Sequence, residues 1–150
     1  VKYHHWTDKI NKKLKNILND GVEDSKTTFN LIDESGEVVW IILEDRDFNE
    51  LVASAFTTIN ALSQEINTES VMGLIFPVVI ENTDNSNYLD HNQRHYLIFN
   101  ENPPGYYPLV YQNEDRQPIA EIELFDLIKN SGIEFNKDQR KWFSVDNIPI

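Results

Sequence analysis

Residues 47–66 read DFNELVASAFTTINALSQEI and have the clearest periodic pattern in the chain. Apolar residues recur at intervals of three and four, which predicts a single stripe along a helix; they are Phe48, Leu51, Val52, Ala55, Phe56, Ile59, Leu62 and Ile66. Asp47 and Glu50 have the spacing of a capping box, with aspartate in place of the usual serine or threonine. We therefore predict a helix of about 30 Å that packs on a sheet, with Phe56 and Ile59 in the core.

Two strands and a further helix are predicted before this long helix. Residues 27–33 and 38–43 flank the turn sequence Asp-Glu-Ser-Gly, which favours a hairpin. The second strand, Val-Val-Trp-Ile-Ile-Leu, is apolar throughout, which is typical of a strand covered on both faces or central in its sheet. Ahead of the hairpin, residues 7–19 have apolar residues at helical spacing, and the basic amphipathic segment as a whole spans residues 1–21.

After the long helix the pattern changes to a period of two. Residues 71–80 alternate as a strand does, and Pro77 indicates an edge position or a bulge. Strands near residues 95–100 and 106–111 follow, joined by the turn sequence Asn-Pro-Pro-Gly of residues 102–105. In that turn, Pro104 and Gly105 suit the central positions of a type II turn. Pro118 at a first helical position opens a helix that runs to about Lys129.

The order of elements, α-β-β-α-β-β-β-α, predicts the fold class. Strands that follow one another through short turns pair antiparallel, which gives an α+β fold. We expect one domain over residues 1–150, with a sheet of about five strands packed by the long central helix and by the N-terminal and C-terminal helices. The tail, residues 133–150, ends in apolar and aromatic residues and is expected to dock on the body.

Composition excludes several classes of function. The net charge of −12 argues against nucleic acid as a partner, because the phosphates would be repelled. The absence of cysteine excludes disulfides, thiolate metal sites and cysteine nucleophiles. No apolar run approaches the roughly 20 residues of a membrane span, and the first residues, VKYHHWTDK, do not have the apolar core of a signal peptide. We expect a cytoplasmic protein.

The charge is distributed unevenly along the chain. Residues 1–20 contain five lysines and two aspartates, a net +3, so the other 130 residues have a net −15. Lys9, Lys12, Lys13 and Lys15 lie on the polar arc of the first helix. Two interpretations stay open: the helix covers the sheet with its apolar stripe, or its lysines contact an acidic partner or an anionic membrane surface at the inner face of the membrane.

No catalytic, metal or cofactor motif is present in the sequence. His91 and His95 would share one face of a helix, but in a strand they would lie about 13 Å apart, too far for one ion. The loop of residues 82–87 does not fit a calcium-binding loop, and no serine has the flanking residues of a nucleophile. Glu121 and Glu123 are expected on a solvated face. We therefore predict no catalytic residue, no metal and no cofactor.

A second candidate contact surface is the aromatic turn of residues 103–108. Tyr106 and Tyr107 would face opposite sides of the following strand, so one should be core and one exposed. An exposed tyrosine beside Pro108 is suited to partner binding. The alternative is a hairpin that aromatic packing holds together.

Three stretches are similar to the PspA-associated protein PspAB family. They are VVWIILEDRDFNELVASAFTTINALSQ (residues 38–64), YLIFNENPPGYYPLV (residues 96–110) and DQRKWFSVDNIPI (residues 138–150). The matching positions are Trp40, Tyr107, Pro108, Trp142 and Phe143. The chain departs from the family pattern at residues 102–105, where the family has Lys-Arg-Gly, and at residues 117–120, where it has Arg-Asp-Asn.

The resemblance implies a non-enzymatic accessory protein, an adaptor that contacts a PspA-type protein in the response to membrane stress. The alternative from another class is a small-ligand-binding protein or hydrolase with a pocket between the sheet and the long helix.

Overall fold

The structure, a computed structural model, describes residues 2–19, 27–34, 38–64, 73–101 and 104–150. The chain divides into two compact units, residues 1–71 and residues 72–150, and each is described by itself. Helices and antiparallel strands occur in both, so the predicted α+β class is confirmed. The described strands form a two-stranded sheet and a four-stranded sheet, where one sheet of about five strands was predicted. Turn signals predict which strands form hairpins, but the grouping of hairpins into sheets depends on tertiary packing.

The first unit consists of a hairpin and two helices. Its elements are α1 (Lys2–Asn19), β1 (Thr28–Glu34), β2 (Val38–Glu44) and α2 (Phe48–Leu62). The two strands pair over their full length, from Thr28 opposite Glu44 to Glu34 opposite Val38. Ile10, Leu14 and Leu18 of α1 are buried together with Leu62 of α2, and apolar side chains of both strands pack against them. The apolar stripe of α1 therefore forms part of the core of this unit.

The long helix begins as predicted, but its buried face differs from the prediction. Asp47 caps α2, since its side chain accepts a hydrogen bond of 3.1 Å from the backbone N–H of Glu50. The buried residues of the helix are Ala55, Thr58, Ala61 and Leu62. Phe56 is 39% exposed and Ile59 is half-buried, so the prediction that both are core residues is wrong. Three of these four buried residues have small side chains, which allow close approach of the helix to its neighbours.

The second unit is built on an antiparallel sheet with one helix. Its elements are β3 (Leu74–Pro77), β4 (Arg94–Glu101), β5 (Pro104–Gln112), β6 (Asp115–Arg116), α3 (Pro118–Ile128) and a 3-10 turn (Gln139–Lys141). The strands lie in the order β3-β4-β5-β6, so β3, which contains Pro77, is an edge strand as predicted. Leu89, Val110, Ala120 and Leu124 form a core between α3 and the sheet.

Pro104 and Gly105 are not the central residues of a turn, so this prediction is wrong. Both residues already belong to β5, where they pair with Glu101 and Asn100. The other two residues of the predicted turn, 102 and 103, lie outside the described residues. Gly105 does have the predicted positive φ, at +141°, but for a different reason: the backbone of residues 135 and 136 lies against it.

Residues 133–150 lie along the sheet of the second unit, held by the side chains of three tyrosines. The Tyr107 hydroxyl donates to the carbonyl of Phe143 at 3.1 Å, and the Tyr111 hydroxyl donates to that of Val145 at 3.0 Å. The Tyr96 hydroxyl donates in the same way to Ile150. Trp142 and Ile148 of the same segment are buried.

Tyr107→Phe is expected to lower the free energy of unfolding by about 1 kcal/mol, because one buried hydrogen bond is lost. Burial raises the pKa of the Tyr107 hydroxyl, while Asn100 and Arg116 oppose the rise. The native state therefore favours the neutral hydroxyl. The stability that this group contributes is fully present below about pH 10 and declines as the pH rises toward the folded-state pKa. Urea unfolding at pH 7 and at pH 10.5 measures both effects, with Tyr88→Phe, at an exposed position, as the control. Equal losses in the two variants would contradict the prediction.

Candidate functional site

The predicted basic surface is present on α1. Lys9, Lys12 and Lys15 are exposed, and Lys13 is half-buried, with its Nζ donating to Oε1 of Gln64 at 2.9 Å. The opposite side of the helix, with Ile10 and Leu14, is buried in the unit. The fold therefore fixes the direction in which the lysines point. We call Lys9, Lys12, Lys13 and Lys15 the basic face.

The predicted aromatic contact surface is largely inside the protein. Tyr107 is 1% exposed and Pro108 is fully buried, so neither is accessible to a partner, which corrects their assignment to a contact surface. Tyr106 is half-buried, and its ring packs against those of Phe76 and Phe99, with centroids 6.2 and 5.0 Å away. The alternative interpretation, a hairpin that aromatic packing holds together, fits these residues better. Tyr107 is covered by the tail, where its ring stacks on that of Trp142 with centroids 6.5 Å apart and its hydroxyl donates to the carbonyl of Phe143.

The two glutamates predicted on a solvated face have specific structural roles. Glu121 is 1% exposed, and its carboxylate accepts hydrogen bonds from Arg116 Nε at 2.9 and 3.0 Å and from the backbone N–H of Val110 at 3.1 Å. Glu123 accepts from the backbone N–H groups of Asn87 and Tyr88 at 3.0 and 2.9 Å. Both carboxylates therefore tie α3 to its surroundings, and the expectation of a solvated face is wrong for Glu121.

A surface that the sequence did not predict lies beside α3. An open groove of about 640 Å³ runs between this helix and the loop of residues 82–88. Its walls combine exposed apolar side chains with amide and carboxylate groups: Asn82, Asn85, Ser86, Asn87, Tyr88, Ile119, Ile122, Glu123, Asp126 and Leu127. We call it the α3 groove. The available signal was the helix sequence PIAEIELFDLI, which is apolar on more than one face.

The two histidines lie at the start of β4 in different surroundings. His91 is exposed in a turn, whereas His95 is buried in the strand, 3.2 Å from Gln93 Oε1. The strand begins at Arg94, whereas the predicted separation of the two histidines assumed an extended chain from His91 onward. Burial lowers the pKa of His95, which Asp90 opposes and His91 reinforces. In the part of the chain that the structure describes, no three His, Asp or Glu side chains form a group that could hold a metal ion.

Within the described ranges, no helix combines the length and the apolar content that a membrane crossing requires.

Fold and surfaces together define an α+β protein with a basic helical face in one unit and an apolar, acid-rimmed groove in the other. The chain belongs to the PspA associated protein B family, PspAB, whose family model matches residues 3–150. The match includes α1 and β1, which precede the three stretches whose sequences resemble the family. No curated protein and no solved structure matches the chain.

Proposed function

We propose that this protein is a non-enzymatic adaptor that binds a PspA-type protein and acts in the response to membrane stress. The observation that supports it most directly is the family match over residues 3–150, since the family is described as PspA-associated. The basic face of α1 is the contact surface we assign to this binding. Its net positive charge stands out on a chain with a net charge of −12.

The way α1 is packed favours an acidic protein over a lipid bilayer as its target. An amphipathic helix that binds a membrane inserts its apolar side among the lipids. In this protein that side, with Ile10, Leu14 and Leu18, is buried against the hairpin and α2. Contact with an anionic membrane would therefore rest on charge alone, whereas an acidic protein surface can also be complementary in shape.

Replacing Lys9, Lys12 and Lys15 together by glutamine is expected to weaken binding to a PspA-type protein about tenfold or more. Lysines near an anionic surface contribute about 1 kcal/mol each, and exposed lysines add little to stability. Lys13 is kept because it bonds Gln64. The melting temperature should stay within a few degrees, and the binding that remains should depend less on salt. Titration calorimetry at two salt concentrations measures the affinity.

The matched control is the triple change of Lys129, Lys137 and Lys141 to glutamine. These lysines are also exposed, and both triple variants shift the formal net charge from −12 by three units. Equal weakening in the two variants would point to overall charge and contradict the basic-face assignment. Wild-type protein that binds no PspA-type protein would overturn the adaptor function. Anionic vesicles in the same assay test the membrane as a target.

A further inference from the structure

We infer that the α3 groove is a docking site for a cationic amphipathic helix of a partner protein. This surface goes beyond the proposed function, since the basic face of α1 requires a partner of the opposite charge. The two surfaces lie on different units and can be tested independently.

The first reason is that α3 is apolar on two sides. Ala120 and Leu124 are buried against the sheet. On other sides of the helix, Ile119 is 58% exposed and Leu127 is 61% exposed, with Ile122 between them also exposed. A surface helix of a globular protein normally has one apolar stripe, and polar residues cover the rest. Large apolar side chains that cluster on a surface are typical of an interaction site.

The second reason is that hydrogen bonds fix the loop of residues 82–88 beside α3. Glu123 on α3 accepts from the backbone N–H groups of Asn87 and Tyr88, which fixes the loop to the helix. Gln93 holds the same loop from the other side, because its Nε2 donates to the carbonyl of Tyr88 at 2.9 Å. Tyr88 therefore forms a positioned, exposed aromatic wall. A preformed groove binds with little loss of conformational freedom.

The geometry suits a helix as the occupant. Ile119 and Leu127 are eight residues apart, about 12 Å along the axis of α3, or two turns. A helix that lies along this row can present apolar side chains at positions i, i+3 or i+4, and i+7. The groove is open rather than enclosed, so it accommodates a helix better than it encloses a small molecule.

The charge of the groove's rim determines which charge the partner must carry. Glu123 and Asp126 line the groove, and the exposed Asp84 lies in the loop opposite. Lys129, at the end of α3, is paired with Asp126 at 3.1 Å. An occupant with lysine or arginine beside its apolar stripe is therefore complementary. The chain's own cationic helix, α1, does not meet the requirement in a second copy, because its apolar side is buried in its own unit.

The test uses the full chain and a synthetic 18-residue helical peptide of leucine and lysine, with a leucine–glutamate peptide of the same pattern as the comparison. We expect the lysine peptide to bind and the glutamate peptide to bind at least tenfold more weakly. In nuclear magnetic resonance titrations, the shifted backbone signals should map to residues 82–88 and 118–128. Ile119→Gln with Leu127→Gln should weaken binding at least tenfold, and Asp126→Asn should weaken it severalfold at low salt.

The matched control replaces Val79 and Phe143, two exposed apolar residues of the same unit outside the groove, by glutamine. This control should keep the wild-type affinity within about twofold. The variant with Lys9, Lys12 and Lys15 replaced by glutamine should do the same. A urea midpoint near that of wild type shows that each variant is folded. Unchanged affinity in the groove variant, or shifts centred elsewhere, would overturn the inference. So would wild-type protein that dimerises while the groove variant is monomeric, which would assign the groove to a second copy.

Discussion

Replacement of Arg116 by alanine should lower the free energy of unfolding by about 3 kcal/mol, because it leaves a buried carboxylate without its cation. The Glu121 side chain is 1% exposed, and its carboxylate has two partners, the Arg116 guanidinium and the backbone N–H of Val110. Arg116 is itself 27% exposed and also donates to Ser144 Oγ at 3.2 Å, so water screens part of the pair. The effect should therefore lie at the low end for a broken buried pair.

Arg140→Ala provides the control for this prediction. Arg140 makes an ion pair of similar length with Asp138, at 3.0 Å, but its side chain is almost fully exposed. Exposed pairs contribute little to stability, so this variant should be close to wild type in urea unfolding. Adding Glu121→Gln to the Arg116→Ala protein should restore part of the stability, because the stranded charge is removed. Equal losses at Arg116 and Arg140 would show that burial of Glu121 is not what makes the pair important.

Gly105→Ala is expected to destabilise the second unit by about 2–4 kcal/mol, through strain and steric overlap together. The φ of Gly105 is +141°, which side chains rarely adopt. A Cβ there would also lie 2.8 Å from the backbone N of Asn136 and 3.2 Å from the carbonyl carbon of Phe135. Those backbone atoms cannot move away easily, because Asn136 N–H donates to the Tyr106 carbonyl at 2.8 Å.

Gly132→Ala separates the two contributions. Its φ is +89°, and a Cβ at this position would meet no heavy atom within 4 Å. Alanine there should lower the stability by about 1 kcal/mol, from backbone strain alone. Thermal unfolding of both variants gives the comparison. If the two glycine variants are equally stable, then the contact between β5 and residues 135 and 136 is not a tight one.

Local signals in the sequence were enough to predict most of the elements. The Asp47 cap, the hairpin of β1 and β2, and Pro118 at the start of α3 depend on residues close in the chain. The core of α2 was predicted less well, because its apolar stripe is wide enough to include Phe56. Which edge of a stripe is buried depends on the shape of the neighbouring elements, and here Ala55 and Ala61 provide the close contact.

The candidate surfaces were predictable to different degrees. The basic face of α1 was predictable because its four lysines lie close together in one helix. The α3 groove has a second wall from residues 82–88, more than thirty positions earlier in the chain, and no local pattern predicts that pairing. The same distance separates Glu123 from the backbone groups it binds. Tyr107 was misassigned because the residues that cover it, Trp142 and Phe143, come more than thirty positions later in the chain.

The attachment of residues 133–150 by Tyr96, Tyr107 and Tyr111 has a consequence for how much of the tail can vary. The three hydroxyls bind main-chain carbonyls, which every amino acid possesses. The path of the tail is thus specified largely by the sheet, while the tail's own buried side chains are Trp142 and Ile148. Exposed positions between them can therefore change without rerouting the chain, except at Asn147, whose φ of +57° few residue types adopt.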